Sequence, residues 1–365
     1  MNPVAISGEA APELGAVRDA FARCFAQLGE TGAALAVWRD GRPVADLWAG
    51  EASPGRPWER DTLVGVYSTG KPLCALGLLR LVERGEVELD APVTRYWPGY
   101  AAHGKGATTV RHVLTHRAGL MALEPPLPQD QLLDWDVVTA ALAAAPPQWD
   151  PGSDQGEHAV FYGHLVGEIV RRVTGVPFCE WLRREVAEPW GLEFLGALRP
   201  AERARCATLT GMDEAWIASL ALDPGTLRGR ATFQATGMLR ADVVNGPAWR
   251  GGCVPAVNLH ASARGVAAMY AGLLAGGERE GMRLLSGSLA REMRTEQCRG
   301  FDRFCQEDVR WGLGVQLDHD GFGHGGLGGS LGWADPATGL AFAYVTARMG
   351  SHERALAVWE AARRA

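Results

Sequence analysis

A hydroxyl and an amine stand three residues apart in Tyr67-Ser68-Thr69-Gly70-Lys71, at the head of the apolar run Pro72-Leu73-Cys74-Ala75-Leu76-Gly77-Leu78-Leu79. Residues three apart share a helix face, so a helix here brings Ser68 Oγ and Lys71 Nζ together. A serine hydroxyl is a poor nucleophile until an adjacent base takes its proton. A lysine can be that base only where burial or a neighbouring cation makes it give up its own. The stretch 73–82 is apolar nearly all round, as a buried helix is. Pro72 fits only the first turn, which fixes the helix start. Ser68 then lies at the helix N-terminus, where the dipole favours a developing alkoxide or oxyanion. The plain alternative is a helix-capping serine beside a surface lysine, since Ser-x-x-Lys also arises by chance.

The elements around this stretch follow from periodicity. Leu14, Val17, Phe21, Cys24, Phe25 and Leu28 recur at helical spacing. Residues 33–38 and 44–48 read as two strands joined at Asp40-Gly41, a hairpin signal. Helices are expected over 110–116, 134–145, 160–173, 261–274 and 353–364, and strands over 312–317, 324–333 and 340–347. Residues 201–255 have weak periodicity and receive no assignment. Strands at both ends with helices between predict an α+β protein. Residues 1–85 and 257–365 form its sheet domain, and 86–256 form a mostly helical insertion lining the cleft. No internal repeat or low-complexity tract interrupts this scheme.

Composition narrows the function. The 365 residues carry a net charge of −6, which gives nucleic acid no basic footprint. No apolar run reaches membrane-spanning length, and residues 1–15 lack a basic-then-apolar signal. The seven cysteines are odd in number, scattered and without a C-x-x-C pair. They are expected to be free thiols in a reducing compartment, the cytoplasm by default.

Three other patterns compete for chemistry. Gly323-x-Gly325-x-x-Gly328 has the spacing of a dinucleotide fingerprint but opens no helix within a β-α-β unit. Gly328-Gly329-Ser330-Leu331-Gly332 has the form of a nucleophile elbow, yet a strand pattern follows it, and only Asp335 and His352 remain as downstream partners. Glycines that let strands bend explain it better. His112 and His116 share a helical face without a third ligand, so a capping or core role is expected and no metal.

Ser68-Thr69-Gly70-Lys71 and the distant Phe322-Gly323-His324-Gly325-Gly326 together resemble the serine β-lactamase and penicillin-binding-protein superfamily, and within it the class C-like carboxylesterases. The resemblance runs along nearly the whole chain. Gly32-Ala33-Ala34-Leu35-Ala36-Val37 is similar to the family's first strand. Asp90-Ala91-Pro92-Val93 and Leu114-Thr115-His116-Arg117-Ala118-Gly119-Leu120 are similar to the segment after its nucleophile, and Gly328 to Pro336 to the stretch after its third motif. It implies a β-lactamase/transpeptidase-like fold, an antiparallel sheet flanked by helices, and a two-step acyl-enzyme mechanism without cofactor. Ser68 would be the nucleophile and Lys71 its proton partner. The N–H groups of Ser68 and Leu327 would form the oxyanion hole. His324, Gly325 and Gly326 would edge the substrate cleft, with His324 holding a substrate carboxylate or carbonyl.

The sequence departs from the family at the second motif, where a tyrosine shuttles the serine proton. The segment here is Gly156-Glu157-His158-Ala159-Val160-Phe161-Tyr162. Glu157 occupies the tyrosine position, a one-residue slip puts His158 there, and Tyr162 lies nearby within the next helix. A carboxylate can act as base directly or through a water. As base it would give an acid limb in the pH profile that Glu157→Gln abolishes. Three readings follow: a hydrolase of a small-molecule ester or amide, an acyltransferase or lyase with altered chemistry, and a non-catalytic binder. Retained Ser68, Lys71 and glycine-rich third motif favour the hydrolase.

Overall fold

The computed structural model describes residues 4–319 and 321–365, so residues 1–3 of the N-terminal stretch lie outside the description. The sheet strands are β1 (Ile6–Ala10), β2 (Gly32–Arg39), β3 (Arg42–Ser53), β4 (Cys298–Asp302), β5 (Glu307–Trp311), β6 (Gln316–Asp318), β7 (Gly321–Gly325), β8 (Leu331–Asp335) and β9 (Leu340–Thr346). They run in the order β1-β3-β2-β9-β8-β7-β6-β5-β4, every neighbouring pair antiparallel, with Arg56–Pro57 pairing the end of β3. The central register, Leu35 opposite Tyr344 and Val37 opposite Phe342, joins the two ends of the chain.

Helices cover both faces, which a sheet apolar on both sides requires. The helices used below are α1 (Gly15–Gln27), α2 (Lys71–Glu83), α3 (Val110–Leu114), α4 (Trp135–Ala144), α5 (Tyr162–Thr174), α6 (Phe178–Leu182), α7 (Ala263–Leu274) and α8 (Glu353–Arg364). α1 and α8 share one core with the sheet through Phe21, Phe342 and Trp359. α2, α5 and α7 lie in the larger core on the other face. α2 is buried from Lys71 to Leu79, as its all-round apolar sequence requires. Gly77 is where α6 crosses it: a Cβ there would lie 2.4 Å from Leu182 Cδ2.

Several expected elements shift. The stretch 324–333 is not one strand but a reversal: β7 ends at Gly325 and β8 begins at Leu331. Gly328 and Gly329 between them have φ of +94° and +109°, a region glycine enters at no steric cost. The strand expected over 312–317 shortens to β6, because Gly314 turns the chain at φ +76°. β1 and the hairpin β4–β5 were not read from the sequence. The Asp40-Gly41 turn has both residues at positive φ, 49° and 76°, as a two-residue hairpin of this twist demands. Residues 201–255, left unassigned above, form only short helical pieces of four to seven residues.

The free-thiol expectation is corrected. Cys179 at the start of α6 is bonded to Cys253, 74 residues on, with Cα atoms 6.1 Å apart, inside the range a disulfide spans. That pairing depends on tertiary proximity, which spacing does not report. The other five cysteines are free.

Candidate active site

Val64–Gly65 leads into a single 3-10 turn, Tyr67–Gly70, that runs directly into α2. Tyr67 is held at φ +48°, a strained value for a non-glycine residue that is tolerated where surroundings over-determine it. Its ring is buried and its hydroxyl donates to the Met238 carbonyl at 2.7 Å. The turn lifts Ser68 above the helix start, and Pro72 in the first turn sacrifices no hydrogen bond.

Lys71 is fully buried. Its Nζ donates to Ser68 Oγ at 2.5 Å and to the Ala159 carbonyl at 3.2 Å, and it lies 2.8 Å from Glu157 Oε1. Sequence reasoning put Ser68, Lys71 and Glu157 in one constellation, and the fold brings them together. Glu157 reaches it from the loop before α5. Burial alone would raise its carboxyl, but the charge of Lys71, then His324 and hydrogen bonds from Lys71 and Ser68 outweigh burial and hold it at about 2.

The two alternative bases are elsewhere. His158 Nε2 accepts the Leu120 N–H at 3.1 Å, and the backbone N–H of His158 donates to His116 Nδ1 at 3.1 Å. Burial pushes His158 down to about 3. Tyr162 opens α5 fully buried, its hydroxyl 3.4 Å from the Leu114 carbonyl, and burial pushes its pKa well up. Neither borders the cavity of about 250 Å3 that Ser68, Glu157, His324 and Leu327 line. Leu220, Leu222, Met238, Val257 and Phe304 make its apolar wall.

β7 forms one edge. A Cβ on Gly326 would lie 2.2 Å from the Val66 carbonyl, so only glycine lets this strand end approach the nucleophile turn. Gly326 N–H is used by the Ser330 carbonyl at 2.7 Å. The N–H groups of Leu327 and Ser68 have no acceptor among the described residues. His324 Nδ1 bonds the Gly325 carbonyl at 2.7 Å. A carbonyl only accepts, so Nδ1 carries the hydrogen. Burial lowers His324 to about 4, with Lys71 and His352 adding to it against Glu157 and the Gly325 carbonyl. The ring is therefore neutral near pH 7, and Nε2 is a bare acceptor rather than a donor for a carboxylate.

Two residues the sequence did not reveal hold Glu157. Asp302 at the end of β4 is fully buried. Its Oδ1 accepts from the backbone N–H of Glu157, Phe304 and Cys305 at 3.0, 2.8 and 2.9 Å, and its Oδ2 from Trp311 Nε1 at 3.0 Å. The Cys305 thiol donates to Glu157 Oε2 at 3.8 Å. No motif marks either one, because the pairing joins segments about 145 residues apart.

The competing patterns resolve as structure. Ser330 is buried before a strand, and its carbonyl also accepts from Thr69 Oγ1 at 3.2 Å. Gly323-x-Gly325-x-x-Gly328 opens no helix. His112 caps α3 together with Thr109, and His116 is a buried core residue. Among the described residues no group of histidine, cysteine, aspartate or glutamate could hold a metal ion, and no helix is long and apolar enough to cross a membrane.

A serine at a buried helix start, a lysine on its next turn and a glycine-rich strand facing both are arranged as in a serine hydrolase of the β-lactamase fold. The chain matches the beta-lactamase family over residues 18–365 and belongs to it. It is similar to the esterase/beta-lactamase LipL of Mycobacterium tuberculosis, 36% identical over 94% of this chain and 83% of that protein. A family VIII carboxylesterase structure superposes with a TM-score of 0.90 at 34% identity, covering 99% of both chains. A penicillin-binding protein homologue from Caulobacter crescentus does so at 0.87 and 32%, again over 99% of both.

Proposed function

We propose that the protein is a serine esterase that works through an acyl-enzyme on Ser68. The observation that carries this reading is the chain of contacts from Ser68 Oγ to Lys71 Nζ, 2.5 Å, and from Lys71 Nζ to Glu157 Oε1, 2.8 Å. Ser68 attacks the ester carbonyl. Its proton passes through Lys71 to Glu157, while the N–H groups of Ser68 and Leu327 hold the oxyanion. Glu157 at about 2 is a weak base but, once protonated, a strong acid. It returns the proton at once to the departing alkoxide, which suits esters better than amides. Water then releases the acyl group.

Intact-mass spectrometry after incubation with a p-nitrophenyl ester tests the reading. An acyl adduct on Ser68 is expected, and Ser68→Ala should lose essentially all turnover. An adduct on Ser330, or full activity in Ser68→Ala, would overturn it. The cytoplasmic location expected from the sequence draws support from the five free cysteines, while the Cys179–Cys253 bond weighs against it. Fractionation of the native producer decides between them, and recovery outside the cytoplasm would reject the expectation.

A further inference from the structure

Among the described residues that line the cavity over Ser68, one cation has no counter-ion. Arg228 borders the cavity from the short helix Leu227–Thr232 and is half-buried. Local contacts set that helix in place. Thr226 Oγ1 accepts the Gly229 N–H at 3.1 Å, and Thr232 Oγ1 donates to the Arg228 carbonyl at 3.0 Å. A Cβ on Gly229 would lie 1.8 Å from the Asp223 carbonyl, so glycine lets the helix pack against that residue. None of these contacts uses the guanidinium. Among the described residues it has no ion pair, hydrogen bond or ring contact. Arg230, two residues on, pairs with Glu124 at 2.8 Å. Asp223, the nearest acid in sequence, accepts the Gly225 N–H through Oδ1 at 2.7 Å.

The other charges around the cavity cancel. Lys71 is matched by Glu157 at 2.8 Å. His324 is neutral near pH 7 with a bare acceptor at Nε2, and burial lowers His352 as well. The rest of the lining is uncharged. β7 therefore offers an anion no cation. A guanidinium stays charged at any working pH and holds a carboxylate through two parallel N–H donors. Beside an apolar wall, where less water screens it, that attraction is stronger than on an open surface.

Resting on the acyl-enzyme reading above, we propose that Arg228 is a specificity residue that binds a carboxylate of the substrate. The enzyme then prefers esters that carry a free carboxylate over neutral esters of the same shape. Arg228 takes no part in bond making or breaking, which stays with Ser68, Lys71 and Glu157.

Two pairs of esters test this. Mono-p-nitrophenyl adipate and its terminal carboxamide differ in the charge on the acyl group. 4-Acetoxybenzoate and 4-acetoxybenzamide differ in the charge on the leaving group. After subtraction of the Ser68→Ala background, the carboxylate-to-carboxamide ratio of kcat/KM is formed within each protein. A general loss of activity or of folded fraction cancels in that ratio, and the intrinsic reactivity of the esters cancels between proteins. In Arg228→Gln the ratio should fall about tenfold or more for one pair, the scale of a lost charge-assisted bond. The pair that responds identifies which side of the ester carries the carboxylate. Arg228→Glu should lower the same ratio further and Arg228→Lys less, since an ammonium keeps the charge without the fork. The proposal is overturned if Arg228→Gln leaves both ratios at the wild-type value, or if Arg228→Lys loses as much as Arg228→Glu. Mass spectrometry of Ser68 reports the acyl-enzyme separately. No adduct from any of these esters in the wild type would fell the esterase reading itself, whereas an adduct with unmoved ratios fells only this inference.

Discussion

Replacing Lys71 with alanine is expected to lower the rate of Ser68 acylation by about 10³-fold or more, the scale of a lost proton-transfer group within a catalytic unit. Lys71 is in contact with both Ser68 Oγ and Glu157 Oε1. Without it the serine proton has no route through the ammonium, and Glu157 loses the charge that keeps it ionised in a buried loop. The loss should appear in the p-nitrophenol burst with an unchanged far-ultraviolet spectrum, since α2 is held by its apolar surface rather than by this side chain. Residues that act as a unit are not additive. The Ser68→Ala/Lys71→Ala double variant should therefore be hardly slower than Ser68→Ala alone. Near-normal acylation in Lys71→Ala would remove the lysine from the mechanism. A double variant worse by the product of the two single losses would mean that the residues act separately.

The parts of this site that the sequence disclosed are the parts encoded locally. Ser68 and Lys71 share a helix, so a spacing of three was enough to join them. Pro72 marked where that helix starts, and the Asp40-Gly41 turn announced its hairpin through residues that tolerate positive φ. α8 was legible to the residue because its apolar positions keep helical period up to the chain end. Parts encoded by tertiary contact were silent. Asp302 gives no motif, since its carboxylate serves backbone N–H groups whose identity the sequence does not show. The β7–β8 reversal was hidden because a glycine run reads equally as a bent strand or a turn until φ is known. β4, at the sheet edge, and β5, which opens on the exposed Glu307 and Asp308, escaped notice because neither carries strong apolar alternation: in β4 the one large apolar side chain, Phe301, is exposed. Glu157 was placed by register against a family motif. Its surroundings change the chemistry expected of it, from a base that titrates near the ordinary carboxylate value to one kept ionised far below it.

That change sets the pH behaviour of Glu157→Gln. With its pKa held at about 2, Glu157 stays ionised through the whole range in which the enzyme can be assayed, so an acid limb in activity does not belong to it. His324, which lines the cavity beside Glu157, is held at about 4 and does titrate within that range. Protonation fills Nε2, 3.7 Å from Glu157 Oε1, and the ring can then no longer take a proton from the water that releases the acyl group. Decay of the acyl-enzyme should therefore slow as pH falls through about 4, and this limb should persist in Glu157→Gln, contrary to the simple expectation that removing the carboxylate abolishes it. The limb should also move. Glu157 is the charge that favours protonated His324, while burial, Lys71 and His352 oppose it. Removing the carboxylate makes the ring harder to protonate, so its pKa falls and the limb shifts to lower pH. Near pH 7 the same variant should acylate about 10²-fold more slowly or worse, because glutamine cannot take the serine proton. Mass spectrometry of Ser68 adduct decay across the acid range, in the wild type and in Glu157→Gln, measures both effects. A limb that disappears in the variant would return the proton to Glu157, and a limb that moves to higher pH would mean that the carboxylate does not face His324 in the working enzyme.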